Sequence, residues 1–296
     1  MALMDFIKLI RVKHWVKNFF LFLPLFFSGE IFILEKIQFL IIGFFSFSAF
    51  ASSIYVINDL NDIESDRLHP TKRMRPLASG AISKKAGLVI FVVLAIIGFG
   101  LGFLVSYKFL FVVTIYFLLN IGYSFGLKNI SILDVMIVSA GFILRLKAGS
   151  IATHIPVSEW LMIMVFLLSL FMALAKRRDD LMIKDDSGVD VRKVVKNYNL
   201  VFINVCLAMF ASIMVVAYLM YTMSPEVHQR FGSHRMYYTS VFVIGGILRY
   251  LQLAFVEEST GSPTKILYKD RFIQAALLLW LLSFYFFIYY PDIQIF

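Results

Sequence analysis

The stretch IQFLIIGFFSFSAFASSIYVI, residues 37–57, runs twenty-one positions without a charge and passes directly into NDLNDIESD, residues 58–66. About 20 mostly apolar residues are what a helix needs to cross the hydrocarbon core of a bilayer. The first part therefore predicts a membrane-spanning helix. The second part places several carboxylates where that helix leaves the lipid.

The rest of the chain repeats the apolar pattern. Of its 296 residues, 60% are hydrophobic, 17% aromatic and only 16% charged, with a mean hydropathy of +0.83, which is far from the make-up of a soluble domain. Nine runs of spanning length lie near residues 18–34, 37–57, 86–105, 109–125, 132–152, 160–175, 200–223, 236–256 and 272–290. They predict an all-α polytopic membrane protein of nine transmembrane helices. Residues 1–296 form a single membrane-embedded domain with short loops. No cleavable signal peptide is expected, because Arg11, Lys13, His14 and Lys17 lead into the first run without an A-x-A site. Cys206 stands alone in an apolar run and reads as a small buried hydrophobe. The five histidines, His14, His69, His154, His228 and His234, show no zinc-ligand spacing.

Short loops report orientation, since cytoplasmic loops carry the excess of Lys and Arg. With the N-terminus inside, the inner segments hold 21 of the 28 basic residues, grouped at residues 8–17, 67–85, 128, 176–196 and 265–271. The asymmetry predicts an inner (plasma) membrane protein with a cytoplasmic N-terminus and an outer C-terminus. Topology accounts for most of the net charge of +9 without any nucleic acid partner.

Topology asks for basic loops, but not for acids at the end of a span. If the helix continues past residue 57, Asn58, Asp62 and Asp66 fall on one face, four residues apart. Hard oxygen ligands at that spacing suit Mg²⁺, which keeps several waters and is completed by substrate phosphates. Like charges at i and i+4 also oppose helix formation unless a cation bridges them. Asp59 and Glu64 fall off this face. The neighbouring Arg67, His69, Lys72, Arg73 and Arg75 suit phosphate. The loop lacks the order and the turn glycine of an EF-hand.

Three further clusters are candidates. Tyr123, Ser124, Lys128, Asn129 and Asp134 lie between the fourth and fifth runs. Arg145 and Lys147 lie within the fifth, where Asp134 and Arg145 share a helix face three turns apart and an unpaired charge is costly. Arg145 is a functional candidate or half of a structural ion pair, and Lys147 a snorkelling one. Lys176, Arg177 and Arg178 close the sixth run before Asp179 and Asp180. They read as positive-inside anchors or as a third basic wall of a phosphate site. At the N-terminus Arg11, Lys13, Trp15, Lys17 and Asn18 read first as an amphipathic headgroup segment.

Together these motifs resemble the UbiA superfamily of intramembrane prenyltransferases, and within it the decaprenyl-phosphate phosphoribosyltransferase branch. N-D-x-x-D-x-x-x-D is met at Asn58, Asp59, Asp62 and Asp66. D-R-x-H-P-x-K-R-x-R-P-x-A-x-G spans Asp66 to Gly80, and R-V-K-H-W-V-K-N spans Arg11 to Asn18. Y-S-F-x-L-K runs from Tyr123 to Lys128, and G-F-I-L-R from Gly141 to Arg145. The likeness covers about residues 8–180, the last third matching by hydropathy alone. One departure stands out: members that use polyprenyl diphosphates often carry a second D-x-x-x-D, whereas here Val138 follows Asp134 by four.

The resemblance implies a nine-helix UbiA-like bundle with its active site facing the cytoplasm. It implies Mg²⁺ at Asn58, Asp62 and Asp66, and transfer of a 5-phosphoribosyl group from phosphoribosyl pyrophosphate to a polyprenyl phosphate of decaprenyl type. Lys17, Arg67, Lys72, Arg73, Arg75, Tyr123, Lys128, Asp134, Arg145, Lys176 and Arg177 would bind substrate, with no catalytic base assigned. Lys17 joins this set by resemblance alone. Two other readings stay open. One is a prenyltransferase moving a polyprenyl group from its diphosphate to an aromatic quinone precursor, and the other is a lipid or ion transporter. Dimeric and trimeric assembly are both compatible with the apolar surfaces.

Overall fold

A computed structural model of the protein describes residues 3–68, 72–187, 193–231, 235–257, 266 and 269–290. His69, Arg192, His234 and Lys265 lie outside the described residues. Among the described residues helices account for the regular structure, and eight of them are long and apolar enough to cross a membrane. The chain divides into two compact units: residues 1–128 with 140–157, and residues 129–139 with 158–296.

The first unit is built on α3 (Leu34–Asn61). It follows α1 (Leu3–Leu9), a 3-10 helix over Val12–Phe22 and α2 (Leu23–Ser28). After α3 come α4 (Ile63–Leu68), a short 3-10 turn Lys72–Met74, α5 (Lys84–Val105) and α6 (Tyr107–Phe125). Ser83 and Ser106 cap α5 and α6, their side chains accepting from the Ala86 and Phe109 amides. Of the most apolar stretch of α3, 67% is buried inside protein, against 11% for α5. So α3 is the central post and α5 faces lipid. Small residues allow the close packing that membrane helices use. A Cβ on Gly98 would meet the Phe50 ring at 2.8 Å, and Ser46 Oγ donates to Gly98 O at 2.7 Å.

The first expected span differs from expectation. Residues 12–28 form eleven residues of 3-10 helix followed by six of α-helix, shorter than a usual transmembrane helix. Its register against α3 is nonetheless that of a full crossing. The Arg11 guanidinium bonds Asp59, Trp15 Nε1 donates to Ser52 Oγ at 3.0 Å and Asn18 Nδ2 to Ser48 Oγ at 2.9 Å. Leu21 and Leu25 then join Leu40 in one core. A 3-10 helix rises about 2.0 Å per residue against about 1.5 Å for an α-helix. The seventeen residues therefore extend roughly 31 Å, close to the ~30 Å core thickness. Pro24 ends the 3-10 run as a first-turn residue of α2, and Gly29, at φ 82°, stops α2.

The second unit contains α8 (Glu159–Ser187) and α9 (Leu200–Thr222), capped by Asn199. After them come α10 (Pro225–Phe231), α11 (Ser240–Phe255) and α12 (Arg271–Tyr289), capped by Asp270. Leu170, Phe171, Leu174, Ile203, Leu207, Met214, Leu253 and Ala254 form its core. Helix α7 (Leu133–Thr153) gives its first residues to this unit and the remainder to the other.

Candidate active site

The carboxylate run at the end of α3 is not one straight helix face. Asp62 leaves the helix at φ −98°, ψ 7° while its amide still bonds Asn58 O, and α4 starts one residue later. Asn58 and Asp62 stay together: Asn58 Nδ2 donates to Asp62 Oδ2 at 3.1 Å. Into this pair reaches Lys128, from the turn after Gly126. Its ammonium lies 3.4 Å from Asn58 Oδ1 and 3.2 and 3.3 Å from the two oxygens of Asp62. Three hard oxygens from two side chains thus converge on one cationic nitrogen.

Asp66 is turned away from that group and toward Asp59. Both carboxylates are buried, and both accept from Arg75 Nη1, at 2.7 Å for Asp66 and 3.0 Å for Asp59. Asp59 also accepts from Arg11, whose guanidinium lies 4.7 Å over the Tyr55 ring. Asp59, placed off the face by helix periodicity, is therefore a full member of the cluster, as is Arg11, first read as a headgroup anchor. The break at Asp62 is what the periodicity argument lacks. The available signal for both is their place in the motifs from Arg11 to Asn18 and from Asn58 to Asp66.

The remaining basic candidates of this unit are placed differently. Arg67 is exposed and donates to Ala78 O at 3.1 Å and to Glu64 at 3.4 Å. Lys72 is half-buried and Arg73 exposed on the turn that precedes Arg75. Lys17 and Tyr123 are half-buried, on the first 3-10 helix and in the last turn of α6.

Arg145, only 5% exposed, binds no carboxylate among the described residues. Its Nε donates to Asn18 Oδ1 at 2.8 Å, Nη1 to Gly141 O at 2.8 Å and Nη2 to Tyr116 OH at 2.9 Å. Its guanidinium carbon lies 4.8–5.3 Å from the centroids of Tyr116, Phe47 and Phe142. Neutral oxygens and ring faces satisfy the cation inside a spanning segment. In the same region, a Cβ on Gly149 would lie 1.9 Å from the Leu21 carbonyl oxygen, so only glycine lets α7 meet the first 3-10 helix there.

The second unit has its own polar cluster. Asp134 is fully buried and accepts from Arg177 Nε at 2.5 Å and from Tyr198 OH at 2.8 Å. Arg177 Nη1 also donates to Asp180 at 2.7 Å, and the Ile132 amide donates to Tyr198 OH at 2.6 Å. Burial first, and then the Asp134 carboxylate, outweigh the Ile132 amide and push the Tyr198 phenol up to about 12. Asp134 and Arg177, both expected to touch substrate, here hold each other. Lys176 beside them is exposed.

A model of the UbiA prenyltransferase family matches residues 19–282. The chain belongs to that family. Within it, the chain groups with the decaprenyl-phosphate phosphoribosyltransferases. It is similar to the one from Corynebacterium glutamicum, 32% identical over 279 residues that cover 93% of this chain and 83% of the relative. It is also similar to the one from Mycolicibacterium smegmatis, 31% identical over 284 residues that cover 93% and 89%. A solved UbiA homologue from Archaeoglobus fulgidus, bound to GPP and Mg²⁺, superposes with a TM-score of 0.72 at 19% identity over 96% of this chain and 99% of that one. This likeness establishes the UbiA fold, while the long apolar helices and the family match make the chain a multi-pass membrane protein.

Proposed function

We propose that this UbiA-family enzyme transfers a 5-phosphoribosyl group from phosphoribosyl pyrophosphate to a polyprenyl phosphate of decaprenyl type. The bond from ribose C1 to the pyrophosphate oxygen breaks, a bond from C1 to an oxygen of the lipid phosphate forms, and pyrophosphate leaves. The observation that carries the reading is the convergence of Asn58 and Asp62 oxygens on a single cation, beside two buried acids bridged by arginine. Four relatives of about 30% identity over 93% of the chain bear the name of that activity.

The donor set fits Mg²⁺. Among the described residues no three His, Cys, Asp or Glu side chains gather into a metal shell. Mg²⁺ usually takes one or two carboxylates and fills its other positions with water and substrate phosphate. Asn58 and Asp62 already lie together and would hold the ion, with Asp66, bonded to Arg75 in this structure, turning toward them to complete the set; the ion would supply charge neutralisation on the departing pyrophosphate.

The chain's own residues do the rest. Arg75, Lys128, Lys17, Arg67, Lys72 and Arg73 are the cations available to the substrates' phosphates, with Arg145 and Tyr123 completing the set. Positive charge builds at C1 in an oxocarbenium-like transition state, as in glycoside chemistry. The lipid phosphate is already an anionic nucleophile, so no general base is needed, and C1 inverts. The reaction faces the cytoplasm of the plasma membrane, with a cytoplasmic N-terminus.

The test is purified protein in lipid nanodiscs with Mg²⁺, labelled phosphoribosyl pyrophosphate and polyprenyl phosphate, with the lipid product read by mass spectrometry. A lipid-linked phosphoribose is expected. Indifference to phosphoribosyl pyrophosphate, with turnover of a polyprenyl diphosphate instead, would overturn the reading.

A further inference from the structure

The charges of the ion-paired cluster at the end of α3 balance among themselves. Asp59, Asp62 and Asp66 carry three negative charges, and Arg11, Arg75 and Lys128 meet them with three positive ones. The partners divide into two kinds. Asp59 is held twice, by Arg11 and by Arg75, and keeps a cation if Arg75 leaves. Asp62 and Asp66 instead have Lys128 and Arg75 on the oxygens assigned to the metal. Both cations sit at the tips of long side chains with about a quarter of their surface exposed. Each springs from a turn, Lys128 from the one after Gly126 and Arg75 from the one over Lys72–Met74. Neither needs its backbone to move in order to change partner.

A divalent cation added alone to this neutral group would leave an excess of two positive charges in a partly buried place, and it would compete with an ammonium already held by its ligands. A divalent cation arriving with a polyanionic donor restores the balance, because the displaced ammonium and guanidinium have phosphate oxygens to go to. We propose that Lys128 and Arg75 are tethered counter-cations. In the free protein they occupy the oxygens of Asn58, Asp62 and Asp66, and on binding they pass to the donor's phosphates, so that metal and donor bind as a coupled pair. This rests on the phosphoribosyl reading above and adds a binding order to it. It also gives Lys128 two positions, one on carboxylates and one on phosphate.

The experiment follows Mn²⁺ binding by electron paramagnetic resonance in the intact, nanodisc-held protein. The native protein should bind Mn²⁺ weakly alone and much more tightly with phosphoribosyl pyrophosphate present. Lys128→Met removes the competing charge. Repulsion between an ammonium and a divalent ion a few ångströms apart in a water-like dielectric is on the order of a tenfold effect. Lys128→Met should therefore bind Mn²⁺ alone about tenfold more tightly and lose most of the enhancement by donor. Lys128→Gln should behave the same way and serves if the Met variant folds poorly, whereas Lys128→Arg, which keeps the charge, should retain the native pattern. If the native protein shows donor-enhanced binding but neither neutral variant binds Mn²⁺ alone more tightly, the exchange is refuted while the proposed function stands. If phosphoribosyl pyrophosphate never enhances Mn²⁺ binding in the native protein, both fall.

Discussion

The ion pair between Asp134 and Arg177 offers a direct contest between two roles, substrate contact and structural latch. The pair is 2.5 Å long, with side chains 0% and 3% exposed, and it is extended by Asp180 on one end and Tyr198 on the other. Removing one partner of a buried pair costs about 3–5 kcal/mol, because the other charge stays buried. Asp134→Asn leaves Arg177 with Asp180, so its cost falls near the lower end, about 3 kcal/mol. Arg177→Met strands Asp134 and Asp180 together, so its cost falls near about 5 kcal/mol. In a chain of 296 residues 1 kcal/mol moves the melting temperature by roughly 1.6 °C, which gives a drop of about 5 °C for Asp134→Asn and about 8 °C for Arg177→Met. The double variant should lose much less than the sum, with a coupling of at least about 1.5 kcal/mol. Thermal unfolding in detergent, followed by circular dichroism, measures all three. If both single variants melt within 1 °C of the native protein while donor binding collapses, the latch is wrong and the two residues are substrate ligands.

Four other outcomes are expected. Gly149→Ala should cost about 3 kcal/mol or more in thermal stability, since its methyl group would collide with the Leu21 backbone carbonyl rather than a movable side chain. Arg145→Lys should lower the melting temperature by an amount worth about 1–3 kcal/mol, because one ammonium cannot reach the positions that three guanidinium nitrogens now fill. Asp62→Asn should fold normally, its side chain being 30% exposed, yet lose at least about a hundredfold in Mg²⁺-dependent kcat, read from lipid-linked product. Tyr198 stays protonated in the fold beyond the pH at which an unfolded tyrosine ionises. The stability it adds is therefore present below pH ~10 and lost between pH ~10 and ~12; the difference in unfolding free energy between the native protein and Tyr198→Phe should shrink over that interval.

Hydropathy makes eight of the crossings legible in the sequence, because a bilayer imposes one length on every span. The first crossing is legible as an apolar run and not as a 3-10 helix. Composition measures how apolar a segment is, while its polar partners, Ser48, Ser52 and Asp59, lie far along the chain. The candidate site is legible as residue types. Its pairing is not, since helical periodicity presumes an unbroken helix and α3 stops at Asn61. That one break separates Asp66 from Asp62 and hands it to Arg75, a loop residue that no periodicity could place. Arg145 is legible as a costly charge. Its solution, three neutral oxygens and three rings, requires residues from Asn18 to Phe142.

The stretched first crossing also has a consequence for how the protein is made. Residues 11–28 leave the ribosome before α3 and α7, and their polar groups are satisfied by residues on those later helices: Ser48, Ser52 and Asp59 on α3, then Arg145, which follows Asn18 by 127 positions. A 3-10 run carrying Lys13, Lys17 and Asn18, preceded by Arg11, has little hold on lipid by itself. A segment that emerges ahead of its partners is therefore secured only after them, and errors in α3 or α7 should surface as loose insertion of residues 12–28.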